Sequence, residues 1–287
     1  GTTSDREVYP YLHLSANYAF SDKLSWNVWT QFASNTPDAA DRSPIVQQQN
    51  ELLWTTGNPD LDNSHHFTFH TSATWLPSNK FQFSGYVSYF HLFNQLLKTY
   101  TPAVSPTGQP VMMSYLHNQG DYNRFRCGIY GTLKLLKNSL QLSAGTSLAT
   151  YDVTGYNLKK TYQSWNVMAN YYLKNFNFSA YYYAPSRAVS MDSAAETWDS
   201  ASYAVSAGWA NNDWSVQVYG MNFFTKDKTS SRSTLNTPWY RNHSTLENGN
   251  NMPTLYLTLS YTIGYGKQVK RGDEVKQIST GSDGILH

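Results

Sequence analysis

Thr254-Leu255-Tyr256-Leu257-Thr258-Leu259-Ser260-Tyr261-Thr262-Ile263 alternates without a break. Leu255, Leu257, Leu259, Tyr261 and Ile263 fall on one face of an extended chain, and Thr254, Tyr256, Thr258, Ser260 and Thr262 on the other. Side chains of a strand point alternately to its two faces, so this stretch is a strand with one apolar and one polar side. The amino end reads the same way, with Leu12, Leu14, Ala16, Tyr18 and Phe20 set against His13, Ser15, Asn17 and Ala19. The pattern recurs about eleven times, near 10–20, 24–34, 63–76, 80–97, 122–136, 139–150, 161–173, 175–184, 200–210, 213–224 and 253–264. Helical periodicity is nearly absent.

The links between these strands alternate in length. Short ones lie at Ser21-Asp22-Lys23, Pro77-Ser78-Asn79, Lys137-Asn138, Lys174-Asn175 and Asn211-Asn212; long ones span about 35–62, 98–121, 151–160, 185–199 and 225–252. Residues 111–117 either extend the fifth strand or form a hairpin of their own. Short turns on one side and long loops on the other are the pattern of outer-membrane barrels. The apolar faces bear this out, carrying no Asp, Glu, Lys or Arg, while Arg126 and Lys134 fall on the opposite face. A Lys or Arg facing lipid at the midplane would cost ~2–4 kcal/mol. Outward aromatics gather beside the short turns (Phe20, Trp26, Trp75, Phe81, Phe176, Trp209, Trp214) and again toward the long loops (Phe32, Phe67, Tyr89, Phe125, Trp165, Tyr203). Two girdles around an aliphatic band match the two headgroup levels of a bilayer.

Composition agrees. Of 287 residues 14% are charged and 16% aromatic, with 23 tyrosines; a soluble domain carries about a quarter charged residues. No run of ~18 apolar residues offers a transmembrane helix. A net charge of +2 gives no case for nucleic acid. Cys127, the single cysteine, sits on the lipid face between Phe125 and Ile129 as a small apolar residue. The chain opens at Gly1 with no signal peptide legible. Residues 1–266 read as part of an antiparallel transmembrane β-barrel, and 267–287 as a polar, disordered periplasmic tail or a docking segment for a periplasmic partner.

Counting turns starts the chain in an external loop and ends it on the periplasmic side. Eleven strands imply further strands upstream, because single-chain bacterial barrels generally hold an even number and close fully. Four motifs then resemble TonB-dependent receptors of the outer membrane β-barrel family. They are Thr56-Gly57-Asn58-Pro59-Asp60-Leu61, His117-Asn118-Gln119-Gly120-Asp121 before Tyr122, Met221-Asn222-Phe223-Phe224, and the closing Tyr261-Thr262-Ile263-Gly264. Asp62 and Asn63 stand where the family has Pro-Glu, and Asn222 where Asp is common. The resemblance implies a 22-stranded barrel of which this is the last half, an upstream plug, and the TonB system as partner. It also implies import of a specific nutrient, with a surface lipoprotein capping the barrel in some relatives. The rival reading is a structural or adhesive outer-membrane barrel.

Nothing points to catalysis: there is no Gly-x-Ser-x-Gly elbow, phosphate loop or dinucleotide fingerprint, and no cofactor motif. His66 and His70 share the polar face, but their Cα atoms are roughly 13 Å apart, too far for one metal to bridge with ~2 Å bonds. The external loops hold the candidate ligand contacts Trp54, Trp198, Trp239, Tyr240 and Arg241, since rings stack on planar ligands and Arg pairs with acids.

Overall fold

A computed structural model describes residues 9–225, 228–247 and 252–263. From the amino end, β1 (Leu12–Ser21) turns into β2 (Leu24–Asn35). The next connection holds a one-turn helix, α1 (Ala39–Arg42), and the short strands β3 (Gln47–Gln48) and β4 (Leu53–Thr55). Then come the long hairpin β5 (Ser64–Ser78) and β6 (Phe81–Phe93), and a loop hairpin β7 (Leu96–Val104) and β8 (Pro110–Asn118). Two more long hairpins follow, β9 (Tyr122–Leu135) with β10 (Leu140–Val153) and β11 (Leu158–Leu173) with β12 (Phe176–Tyr183). Loop strands β13 (Ser186–Val189) and β14 (Glu196–Asp199) precede β15 (Ser202–Ala210) and β16 (Trp214–Met221). A last loop hairpin, β17 (Thr229–Asn236) and β18 (Arg241–Glu247), leads to β19 (Thr254–Tyr261).

All eleven expected strands line up in one sheet in the order β1-β2-β5-β6-β9-β10-β11-β12-β15-β16-β19. Each consecutive pair is antiparallel. The register holds the two faces apart across the whole wall. Ala16 faces Val28, Val28 faces Thr71, Thr71 faces Val87, Val87 faces Cys127 and Cys127 faces Leu148, all on the lipid side. Leu255, Leu257 and Leu259 are 69%, 72% and 63% exposed, a waste of apolar area in water and the required state in lipid. Both girdles appear in the pairing. On the turn side Phe176 faces Trp209 and Trp214 faces Tyr261; on the loop side Phe32 faces Phe67 and Tyr89 faces Phe125. From Phe67 to Trp75 is about 27 Å along β5 at ~3.4 Å per residue, close to the ~25 Å apolar band of such barrels.

The periplasmic turns are tight because residues there accept left-handed backbone. Leu136, Lys137 and Asn138 have φ of 50°, 55° and 73°, and Lys174 has 50°. The expected long loop at 151–160 is a correction: β10 and β11 stay paired to Val153 and Leu158, joined by one turn ending in Asn157 (φ 51°). Asp152 faces Lys159 near its tip, on the outer side, where the hairpin has risen past the lipid. Likewise the strand expected over 80–97 breaks at Asn94 (φ 54°), and residues 111–117 belong to a separate hairpin, β7–β8.

A soluble-type core is confined to the external end. Leu97, Tyr122 and Val153 are 0%, 2% and 0% exposed, packed with Leu92, Tyr151, Val189 and Ala194. This cluster joins the lumen side of β6, β9 and β10 to the loop strands. Val167→Arg, which places a cation on the lipid face beside Ala144, should cost ~2–4 kcal/mol on denaturation of the full-length protein in lipid. Asn166→Arg, one residue away on the lumen face, should cost far less; equal losses would refute this assignment of faces.

Candidate functional site

The external rim is built by the motifs noticed in the sequence. Gly57 donates its N–H to Ser43 O at 2.9 Å, and Asn58 N–H donates to Asp41 O at 2.6 Å, which pins the loop to α1. A Cβ on Gly57 would lie 2.6 Å from Ser43 N and 2.7 Å from Asp41 O, so only glycine allows the approach. Asn58 Nδ2 reaches Leu116 O at 3.1 Å, and Thr56 N–H reaches Ser114 O at 3.0 Å, tying the same segment to β8. The second motif knots three connections. Asn118 Oδ1 accepts from Asp62 N at 2.8 Å, and its Nδ2 donates to Asp62 O and Asn94 O. Gly120 (φ +70°) turns the chain against Thr154 and Gly155. Asn222 (φ 55°, fully buried) accepts from the Tyr203 N–H on its side-chain Oδ1 at 2.9 Å and donates its own backbone N–H to Tyr203 O at 3.0 Å, an acceptor role that an Asp carboxylate would fill equally. Gly264 of the closing motif and the stretch 267–287 lie outside the described residues.

Above this rim the loops form two four-stranded sheets, β3-β4-β8-β7 and β13-β14-β17-β18. The second folds inward. Tyr122 OH donates to Val189 O at 3.1 Å, Gln95 Nε2 donates to Met191 O, and Lys98 N–H donates to Asp192 O at 2.8 Å. Tyr162 OH donates to Glu196 Oε2 at 2.7 Å, and Lys160 Nζ lies 3.1 Å from Glu196 Oε1. The segment carrying β13 and β14 is thereby laid as a lid over the lumen face of β9, β10 and β11. Burial raises the Glu196 carboxyl, but the hydrogen bonds from Tyr162 and Lys160 outweigh it and hold the group below its usual 4.5.

The expected loop residues divide. Tyr240 stacks on Tyr100 (4.4 Å between centroids, 12° between planes) beside Leu53, Met112, Ala195 and Leu235. That contact joins both loop sheets, and burial there pushes the Tyr100 hydroxyl up to about 12. Tyr240 also lines a cleft of about 500 Å³ with Leu52, Leu53, Pro110 and Met112. Trp54 is half-buried in β4, opposite Met113. Trp198, in the other sheet, has its ring under the Arg232 guanidinium at 5.0 Å. Trp239 is 64% exposed at the tip between β17 and β18, next to exposed Arg241, whose Nε donates to Asn236 at 3.2 Å. The structure therefore brings Tyr240 together with the strand of Trp54, sets Trp198 apart, and leaves Trp239 and Arg241 facing outward.

One feature of the lumen face was not legible as a site. His13, Trp29, His70 and Tyr86 stack in sequence across β1, β2, β5 and β6, with centroids 6.1, 5.5 and 6.0 Å apart and planes within 29°. One step up, His66 stacks on Phe90, and Arg124 lies over the same ring at 5.3 Å. These rings are far apart in the chain, and only the strand register aligns them.

Lid docking should depend on pH with a fixed sign. Glu196 has a lower pKa docked than released, so its contribution is complete above 4.5 and fades as pH falls through the docked value. Backbone amides of β13 and β14 should exchange with deuterium faster, relative to intrinsic rates, at pH 3.5 than at 7, while those of β10 stay protected. Glu196→Gln should flatten that dependence; an unchanged pH profile would remove the carboxylate from lid docking.

Among curated protein sequences none matches this chain. Among solved structures, its fold is similar to that of the siderophore receptor PirA from Pseudomonas aeruginosa (TM-score 0.55, 13% identity, 78% of this chain and 40% of that one). It is also similar to a mutant ferric enterobactin receptor, PfeA, from Pseudomonas aeruginosa, in complex with enterobactin (0.54, 14%, 88% and 40%). PirA from Acinetobacter baumannii gives 0.53, 10%, 88% and 40%. The chain spans about two fifths of each receptor's length, and at such identities the likeness is one of fold. The model of the Outer membrane protein beta-barrel family matches residues 4–261, taking in all eleven wall strands. The chain belongs to that family, and its place is the bacterial outer membrane.

Proposed function

We infer that the chain is the carboxy-terminal wall and part of the outer vestibule of a TonB-dependent receptor that imports a specific nutrient. The observation that carries this reading is a transmembrane sheet whose edges, β1 and β19, have no further strand beside them among the described residues, under a folded lid. Bare edges in lipid leave backbone groups unsatisfied at several kcal/mol each, so the sheet requires further strands to close. A barrel of about twice this width needs a plug to keep the envelope sealed, which is the architecture of an energised importer and not of a small pore. The likeness to siderophore receptor folds over two fifths of their length supports the same reading. Trp239 and Arg241, exposed at the tip of the β17–β18 hairpin, are our candidates for first ligand contact, with Tyr240, Trp54 and Trp198 framing the loop sheets behind them.

The test is genetic. Deleting the full-length gene should abolish growth on one limiting iron or carbon source from a panel, and the wild-type gene should restore it. A strain carrying Trp239→Ala with Arg241→Ala should need several-fold more of that nutrient while keeping normal amounts of barrel in the membrane. If deletion alters surface adhesion or envelope integrity and spares every nutrient, the structural reading replaces import.

A further inference from the structure

The lumen face of the eleven wall strands carries Arg124, Arg126, Lys134 and Lys160 and, among the described residues, no Asp or Glu at all. Chance does not favour this, since half of the positions on that face are polar. Lys160 is met by Glu196 of the lid. Arg124 and Arg126 have no carboxylate partner among the described residues, although they share one face of β9 with Cα atoms about 7 Å apart. Two like charges so placed repel, and the wall supplies nothing to balance them.

Their surroundings are built. The row through Arg126 runs Ser15–Trp29–His70–Ser88–Arg126–Ala149, and the row through Arg124 runs His13–Gln31–Thr68–Phe90–Arg124–Tyr151. Arg124 lies over the ring of Phe90, itself stacked on His66, which holds the guanidinium against the wall. Arg126 is exposed, beside the four-ring stack that ends at Tyr86. Stacked across strands, those rings cover each other's faces on the lumen side. Gly128, the cross-strand partner of Tyr86, makes room for that ring: a Cβ there would lie 2.6 Å from Tyr86 Cε1, so the last ring of the stack lies over the glycine two residues from Arg126. The site lies just below the lid, where a ligand leaving the vestibule would arrive.

We propose that Arg124 and Arg126, with the ring stack beside them, form a lumenal subsite for an anionic ligand bearing at least two carboxylate-type oxygens. This rests on the import reading and narrows its substrate to acids. A guanidinium offers a planar fork that matches such oxygens pairwise, and two of them carried on one face of one strand favour a ligand with two anionic groups over one. The oxyanion can come from the imported solute or from a side chain of the receptor's remaining part, and the experiment separates these.

Full-length receptor purified in detergent is titrated with citrate, and with maltotriose as an uncharged control, by calorimetry. Citrate should bind saturably, ~10-fold or more weakly to Arg126→Gln and to Arg124→Gln, the loss expected for one charge-assisted hydrogen bond. Arg126→Lys should keep part of the affinity, and maltotriose should give no signal that these changes alter. Heat-modifiable migration on gels checks that each variant is a folded barrel. Citrate binding equal in all variants, or absent in the wild type, overturns the proposal. In the latter case phenylglyoxal distinguishes the reason: protection of Arg126 means a carboxylate of the receptor itself occupies the fork, and modification means nothing does. Since binding is read outside the cell, its failure leaves import standing, and a failure of uptake in cells leaves this site standing.

Discussion

Inside a bilayer a backbone N–H or C=O without a partner costs several kcal/mol, and a strand has one such pair at every residue. The wall satisfies that demand through ten antiparallel pairings, from β1–β2 to β16–β19, irregular only beside the short turns at Ala19–Ser21 and Trp75–Ser78. Everything else follows from it. Register is pinned because a slip of one residue would turn each polar face into lipid. Turns on the periplasmic side are short because paired strands can be joined at once. The two outermost strands, exposed at every position but Thr254, are where the same demand remains open among the described residues.

Where the strands leave the membrane, the constraint changes and so does the chemistry. Backbone groups there can reach water, and the chain spends side-chain amides and glycines on fixing connections instead. Asn58, Asn118 and Asn222 each bond backbone of a segment distant in sequence, and Gly57 and Gly120 permit the contacts. Three of the four motifs noticed in the sequence are thus knots of the external rim. They hold the wall's open end in shape while the loops above are left to differ.

The two faces of the wall carry opposite instructions. Outward positions are largely apolar or aromatic, with an occasional uncharged polar residue such as Thr71 or Thr146, and carry no charge until Asp152 and Lys159, at the tip of the β10–β11 hairpin. Inward positions are mostly Ser, Thr, Asn and Gln bonded to one another, such as Thr132 with Ser143 and Ser179 with Ser206. Against that neutral lining the aromatic stack and the cations of β9 stand out. The lid over them is held by a mixture of core packing at Tyr122 and Val189 and a carboxylate that answers to pH.

Period-two alternation, with lipid as the selecting solvent, was enough to read all eleven wall strands, their polarity and the two girdles from the sequence. The same physics made the loop strands illegible. Neither face of β7, β8, β13, β14, β17 or β18 meets lipid, so no strict alternation is imposed; 185–199 and 225–252 read as plain connections, and within 98–121 only 111–117 showed as strand, with its pairing left open. The hairpin at 151–160 was misread for a related reason, because its upper strands are free of the rule that defined the rest. Candidate loop residues could be named from their chemistry, yet only the fold separates Tyr240, which cements two loop sheets, from Trp239, which faces outward. The lumenal row that aligns Arg126 with His70 and Trp29 joins residues up to 97 positions apart. It exists only through register, which hydrogen bonds between strands decide and no local stretch of sequence contains.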